Sequence, residues 1–217
     1  MEDWKIFFLK NLDIYNWLSE DEHMRIAKNS YECSKFENDV IYSPENEDSN
    51  IYVLKKWEVE LYHLKNGKKI VFDILVPWDV FWNFDLKSKY PTHYAASIRS
   101  CYLCITPLEE FLRIISAHPE LMLVFMQKMA KRLSDYEDKI NSNNWNASEK
   151  ILYELKRLKK KKSKNFFWKF FNLPLKITHE KISSITWLNR ITVTRTVSTL
   201  QKDWKIIIWK NWTIDII

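Results

Sequence analysis

The chain has 217 residues, 46% of them apolar and 29% charged, with a formal net charge of +6. It holds no run of about 18 apolar residues, and its N-terminus, MEDWKIFFLKNLDIYNW, is acidic early where a secretory signal is basic, so a cytoplasmic globular protein with no membrane partner is predicted. The charge is uneven: residues 1–149 carry 18 Lys and Arg against 24 Asp and Glu (18 − 24 = −6), residues 150–217 carry 16 against 4 (16 − 4 = +12), a split that predicts two domains with a polyanion bound by the second.

In chain order, SEDEHMRIAKN (19–29) predicts a helix, with Ser19 as N-cap and Glu22 three residues on, the pattern of a capping box. From Tyr31 to Thr106 the apolar residues mostly alternate. NIYVLKKWEVELYHL and KKIVFDILV are joined by KNGK, a hairpin signal, and the close spacing of short strands predicts a sandwich or barrel. Cys101 and Cys104 form a C-x-x-C inside a strand pattern. That places them on opposite faces, as ordinary small residues rather than a metal or redox pair. Helical patterning begins at Pro107.

Within that helical stretch Met122, Met126, Met129, Leu133, Tyr136 and Ile140 fall at spacings 4, 3, 4, 3, 4, the seam of a coiled coil. An amphipathic helix packed on its own domain has the same spacing. The highly charged opposite face favours a homodimer helix. NSNNWNASEK then reads as a hinge, followed by a helix from about Ser148 to Lys160. KKKKSKNFFWKFFNLP suits either a nucleic-acid patch or a solvated helix end and loop.

The last 42 residues, from Lys176, are the most informative. Thr178 caps a short helix, THEKISSIT. A turn at Trp187, Leu188 and Asn189 follows, and then a second helix from about Arg190 to Lys202 that buries Val193, Val197 and Leu200. Two strands close the chain. Helix, tight turn, helix and β-wing describe a winged helix-turn-helix, whose second helix enters the major groove of double-stranded DNA. Arg190, Ile191, Thr194, Arg195 and Ser198 are its exposed, base-facing candidates. Thr192, Thr196 and Lys202 suit phosphates. A nucleophile–base pairing, a metal-ligand cluster and a phosphate-cradling loop are not discernible, so an enzyme is not expected.

Gly occurs once and Trp eleven times. Trp57, Trp78, Trp82, Trp187, Trp204, Trp209 and Trp212 stand at or beside turns where glycine is expected. A β-rich chain needs glycine at positive φ, where a bulky ring is a steric outlier. These positions suggest UGA codons that the source organism reads as Gly and that have been written as Trp. The alternative is that the Trp residues are real and pack where they stand.

With these motifs in view the chain resembles the Crp/Fnr family of bacterial transcription regulators. ISSITWLNRITVTRTVSTLQKDWKI is similar to the family's helix-turn-helix pattern, with Trp187 and Trp204 at its two glycines. VPWDVFW is similar to the β-roll's GDxFG, with Trp78 and Trp82 at the glycines. The resemblance implies an α+β fold, with an N-terminal antiparallel β-roll of cyclic-nucleotide-binding type (1–118), a dimerisation helix and hinge (119–146) and a winged helix-turn-helix (147–217). It also implies RNA polymerase as a partner. An effector pocket would involve Asn83, Phe84, Thr92 and Tyr136. Asn83 stands in place of the family's ribose-binding Glu, Pro91-Thr92 in place of its phosphate-binding Arg-Ser, and Tyr136-Glu137 in place of its adenine-reading Thr-Ser. Cyclic AMP is therefore not the expected ligand, and the effector and any cofactor stay unidentified. Three scattered Cys do not fit an iron–sulfur cluster, and His63 and His93 read as surface or hydrogen-bonded residues rather than haem ligands. Ile191 occupies the place of a Glu that reads cytosine, which implies a different half-site. The competing reading is a ligand-binding module that acts through protein partners rather than DNA.

Overall fold

A computed structural model describes residues 6, 9, 10, 12, 15, 18–83, 90–163, 175–209 and 213–217 (Asn143 by backbone only). Among them are six α-helices and eleven strands. Contacts divide the chain into two compact units, 1–61 with 75–137 and 62–74 with 138–217.

In the first unit, α1 spans Glu20–Asn29. Its capping box forms as predicted: the Ser19 hydroxyl accepts from Glu22 N, and the Glu22 carboxylate accepts from Ser19 N at 2.9 Å. Strands β1 (Tyr31–Lys35), β2 (Val40–Tyr42), β3 (Asn50–Lys56), β4 (Val59–Lys65), β5 (Lys68–Leu75), β6 (Val80–Trp82), β7 (Tyr94–Ser97) and β8 (Cys101–Pro107) build two sheets, ordered β1-β8-β3-β6 and β2-β7-β4-β5. The β1–β8, β3–β8, β3–β6 and β2–β7 pairs are antiparallel, the pattern of a β-roll. The core gathers Ile51, Val53, Val80, Trp82 and Cys104 with Ile26 of α1 and Phe111, Ile114 and Ile115 of α2 (Leu108–Ala117). Cys101 is also buried, which pushes its thiol up to about 11; it stays protonated and unreactive at neutral pH.

Helix α3 (Pro119–Asn141) starts with Pro at its first position, where the missing N–H costs nothing. Leu121 is buried, and Val124, Phe125 and Met129 pack against the roll's core. Met122, Met126, Leu133 and Ile140 are exposed, as is Leu123. The heptad seam is thus divided: Met129 and Tyr136 are half-buried, and four members remain open.

The second unit holds the β4–β5 hairpin tip, whose Asn66 and Gly67 both have positive φ as a two-residue hairpin turn requires. A single turn of 3₁₀ helix at Ser142–Asn144 breaks the chain where the hinge is expected. Helix α4 spans Ala147–Ser163, slightly beyond the predicted range. The basic, aromatic segment after it, residues 164–174, lies outside the described residues. Then come β9 (Leu175–Lys176), α5 (His179–Thr186), α6 (Arg190–Lys202), β10 (Ile206–Trp209) and β11 (Thr213–Ile216), with sheet order β10-β11-β9. Ile151, Leu155 and Leu158 of α4 are fully buried, as are Ile182 and Ile185 of α5 and Val193, Val197 and Leu200 of α6; each such side chain contributes about 1.5–3 kcal/mol.

Trp57, Trp78, Trp187 and Trp204 all have positive φ, between 55° and 80°. The other non-glycine residues with this conformation, among those described, are Asn38 and Asn66. Two of the expected turn tryptophans do not share it. Trp82 is a strand residue, 5% exposed, and Trp209 is the last residue of β10, paired with Thr213. Both sit at the last residue of a strand, outside the positive-φ region. Trp212 lies outside the described residues.

Candidate nucleic-acid interface and sensor region

The turn before α6 is held from three sides. The Thr178 hydroxyl caps α5 by accepting from Lys181 N at 3.2 Å. The Ser183 hydroxyl donates to Leu188 O at 2.6 Å, and the Asn189 carboxamide oxygen caps α6 by accepting from Thr192 N at 2.7 Å. Asn189 is a cap the sequence reading placed only as a turn residue. An Asn directly before the first helical residue is the sequence signal for such a cap.

These caps fix the rotation of α6. Arg190, Ile191, Thr194, Arg195, Ser198 and Lys202 are exposed, Thr192 and Thr196 half-buried, and Val193, Val197 and Leu200 buried. All eight candidate DNA-binding residues therefore share one helix, seven of them within its first nine residues. The Thr194 hydroxyl donates to Arg190 O at 2.9 Å and lies 3.1 Å from His179 Nδ1; Ser198 donates to Thr194 O. Burial and the charge of Arg190 hold the His179 pKa below its ordinary value, so that ring is neutral near pH 7.

Behind this helix pair lies a buried ionic cluster absent from the sequence reading. Asp73 of β5, 2% exposed, faces Lys161 at 2.7 Å and Arg157 at 3.4 Å, both on α4. Arg157 also meets Glu154 at 2.9 Å, and Glu154 meets Lys139 at 3.6 Å. Lys139 donates to Val71 O and Phe72 O, and the Trp187 indole N–H donates to Val71 O at 3.1 Å. Burial lowers the Lys139 pKa to about 8.

In the first unit, the candidate effector residues are only partly gathered. Asn83 is buried: its amide N–H donates to Tyr90 O at 3.2 Å, and its oxygen accepts from Thr92 N at 3.3 Å. Thr92 is exposed, with its hydroxyl 3.3 Å from His93 Nδ1. Phe84 lies outside the described residues, and Tyr136 is half-buried on α3. Sequence reasoning missed Tyr42. Its hydroxyl lies 2.7 Å from His93 Nε2 and 3.2 Å from Trp82 O, and burial raises its pKa. It also missed Arg132, which donates to Val80 O at 3.0 Å and stands 5.9 Å from the Trp82 ring centroid. The β-roll's His93 is a buried, hydrogen-bonded residue, and His63 is exposed beside Phe72. No group of His, Cys, Asp and Glu among the described residues could hold a metal ion.

An antiparallel roll, a long helix with an open apolar stripe, and a winged helix-turn-helix follow one another in this order along the chain. The fold is that of the Crp/Fnr regulators. FixK2 from Bradyrhizobium japonicum has a TM-score of 0.73 at 16% identity, over 86% of this chain and 92% of that one. The regulator CLP of Xanthomonas campestris, described as c-di-GMP-responsive, matches at 0.73 and 13% identity, over 91% of this chain and 99% of that one. A Crp/Fnr-family transcriptional regulator from Eubacterium rectale matches at 0.68 and 18%, over 94% of this chain and 93% of that one. The sequence matches no protein-family model and no curated relative. No helix among the described residues is long and apolar enough to cross a membrane.

Proposed function

We propose that the chain is a cytoplasmic, homodimeric, sequence-specific DNA-binding transcription regulator with a β-roll sensor, and not an enzyme. The observation that carries this is α6. It buries its apolar face and opens Arg190, Ile191, Thr194, Arg195 and Ser198 to solvent, in a segment with a net charge of +12. On this reading residues 1–118 sense, 119–146 dimerise and 147–217 bind DNA. Arg195 and Arg190 suit the O6 and N7 acceptors of guanine, Ser198 suits base edges, and Thr192 and Lys202 suit phosphates.

Two copies would pair along α3 through Met122, Met126, Leu133 and Ile140, with Met129 and Tyr136 flanking, and present their α6 helices about 34 Å apart to a two-fold-related site. RNA polymerase is the expected further partner, on the strength of the fold likeness alone. The effector site would lie around Asn83, Phe84, Thr92 and Tyr136 and take a ligand other than cyclic AMP. Asn83 spends its amide on two backbone groups and offers no carboxylate to a ribose hydroxyl. An effector acts by binding the DNA-competent conformation more tightly than the incompetent one.

Selection from a random duplex pool tests the function. The expected result is an inverted repeat whose affinity falls linearly with log salt concentration. Weak binding that is blind to sequence, with and without cell extract as a source of effector, would replace this reading with a sensor that acts through protein partners.

A further inference from the structure

On the reading of α6 as a DNA-recognition helix, we propose that Ile191 determines specificity by contacting the C5-methyl group of a thymine in each half-site. Ile191 is 66% exposed at the second residue of α6, although the helix already buries Val193, Val197 and Leu200. Nothing in the described fold uses this side chain. It has no hydrogen-bonding atom, and the only apolar group that unmodified DNA displays in its major groove is the thymine methyl. Thr194, one turn on, strengthens the match. Its hydroxyl is held by Arg190 O and the His179 ring, which leaves its methyl as the group to meet a ligand. An apolar pair at i and i+3 is thus bracketed by Arg190 and Arg195, so the half-site should place thymine beside guanine.

The test starts from the duplex recovered by selection, with each thymine of the half-site replaced in turn by deoxyuridine, which removes only the methyl. One position should lose about fourfold in affinity, and Ile191→Ala should bind the thymine and uracil duplexes equally while keeping the thermal midpoint of the parent chain. Failure to select any sequence would overturn the DNA-binding reading itself. A selected sequence whose thymines all tolerate uracil, or an Ile191→Ala protein that still distinguishes the two duplexes, would leave that reading standing and overturn the role of Ile191.

A separate observation, the backbone at four tryptophans, carries a second inference. We infer that positions 57, 78, 187 and 204 are glycine in the protein as its own cell makes it, through UGA codons read as Gly. Each has a local geometry that favours glycine. Asp79 N donates to Val76 O at 3.0 Å, closing a turn with Pro77 second and Trp78 third at φ 80°, a type II turn whose third place takes Gly. Trp187 ends α5 in the left-handed conformation, at φ 59° and ψ 20°. After α6, Trp204 N donates to Gln201 O and Lys205 N donates to Leu200 O at 3.0 Å. That is a Schellman motif with Trp204 at its glycine position. Trp57, at φ 68°, links β3 to β4. All four rings are exposed, Trp204 by 77%, whereas Trp82 in extended backbone is buried. Burial is what normally compensates for the size of Trp; Trp57 and Trp204 lack most of it, and Trp78 and Trp187 are 40% and 42% exposed.

The deciding measurement is the mass of the tryptic peptide spanning residues 182–190 from the source cells. Gly at position 187 is expected, and Trp there overturns the inference. The same digest reads position 57 in the peptide spanning residues 57–65.

Discussion

The two ends of the chain use their polar residues in opposite ways. In the roll, Asn83, His93 and Tyr42 turn inward and satisfy one another or nearby backbone. On α6, Arg190 and Arg195 face solvent, and the polar groups that do turn back belong to Thr and Ser bonding within the helix. A recognition surface must stay open until its ligand arrives. A polar network already bonded to itself and to backbone shows less of what it would offer a ligand, so the winged helix displays its chemistry more plainly than the roll does.

Removing the buried carboxylate of Asp73 should have the largest effect. Asp73→Ala removes the carboxylate that faces Lys161 at 2.7 Å and Arg157 at 3.4 Å, leaving Glu154 to face Arg157 alone, and should cost about 3–5 kcal/mol in a denaturant titration. An unchanged midpoint would mean that the cluster is solvated. Leu133→Asp places a charge in the exposed stripe of α3. It should leave the folded monomer intact, abolish dimers in sedimentation and remove tight binding to the inverted repeat; dimers that persist would move the interface elsewhere.

Arg195→Ala and Asn83→Ala sharpen the contrast directly. The first should cost about 1–3 kcal/mol of specific binding, relax base choice at one position and change stability by less than about 0.5 kcal/mol. Equal loss on every duplex would make Arg195 a phosphate contact. The second should cost about 1–3 kcal/mol of stability, because Tyr90 O and Thr92 N lose their partner.

The smallest effect is the pH response of α1. Hydrogen bonds from Ser19 N, His118 and the Ser19 hydroxyl lower the Glu22 pKa from 4.5 to about 2. Its contribution is fully present above pH 4.5 and is lost as pH falls toward 2, because the unfolded chain takes up the proton first. In this solvent-facing site it amounts to less than about 1 kcal/mol, and Glu22→Gln should flatten that part of the acid unfolding curve.

What was legible in the sequence is local. The Ser19 capping box, the Asn66-Gly67 hairpin and the inward and outward positions of α6 each depend on residues within four or five of one another. Partners set by strand register or by distant elements were not legible. Tyr42 reaches His93 only because β2 pairs with β7, with Tyr42 opposite Ala95. Asp73 meets Arg157 and Lys161 across more than eighty residues. The heptad spacing gave the stripe of α3 but not its division, because the packing of Phe125 and Met129 against the roll settles which flank is covered. Trp82 shows the limit of a motif: the pattern aligned it with a glycine, while the strand buries it.

The cluster around Asp73 also gives the second unit a temperature dependence of its own. The hydration that five charged groups give up on burial becomes less favourable as water warms, so the penalty for enclosing them shrinks. The grip of the β4–β5 hairpin on α4 should therefore strengthen, relative to the apolar contacts around it, as the protein is heated.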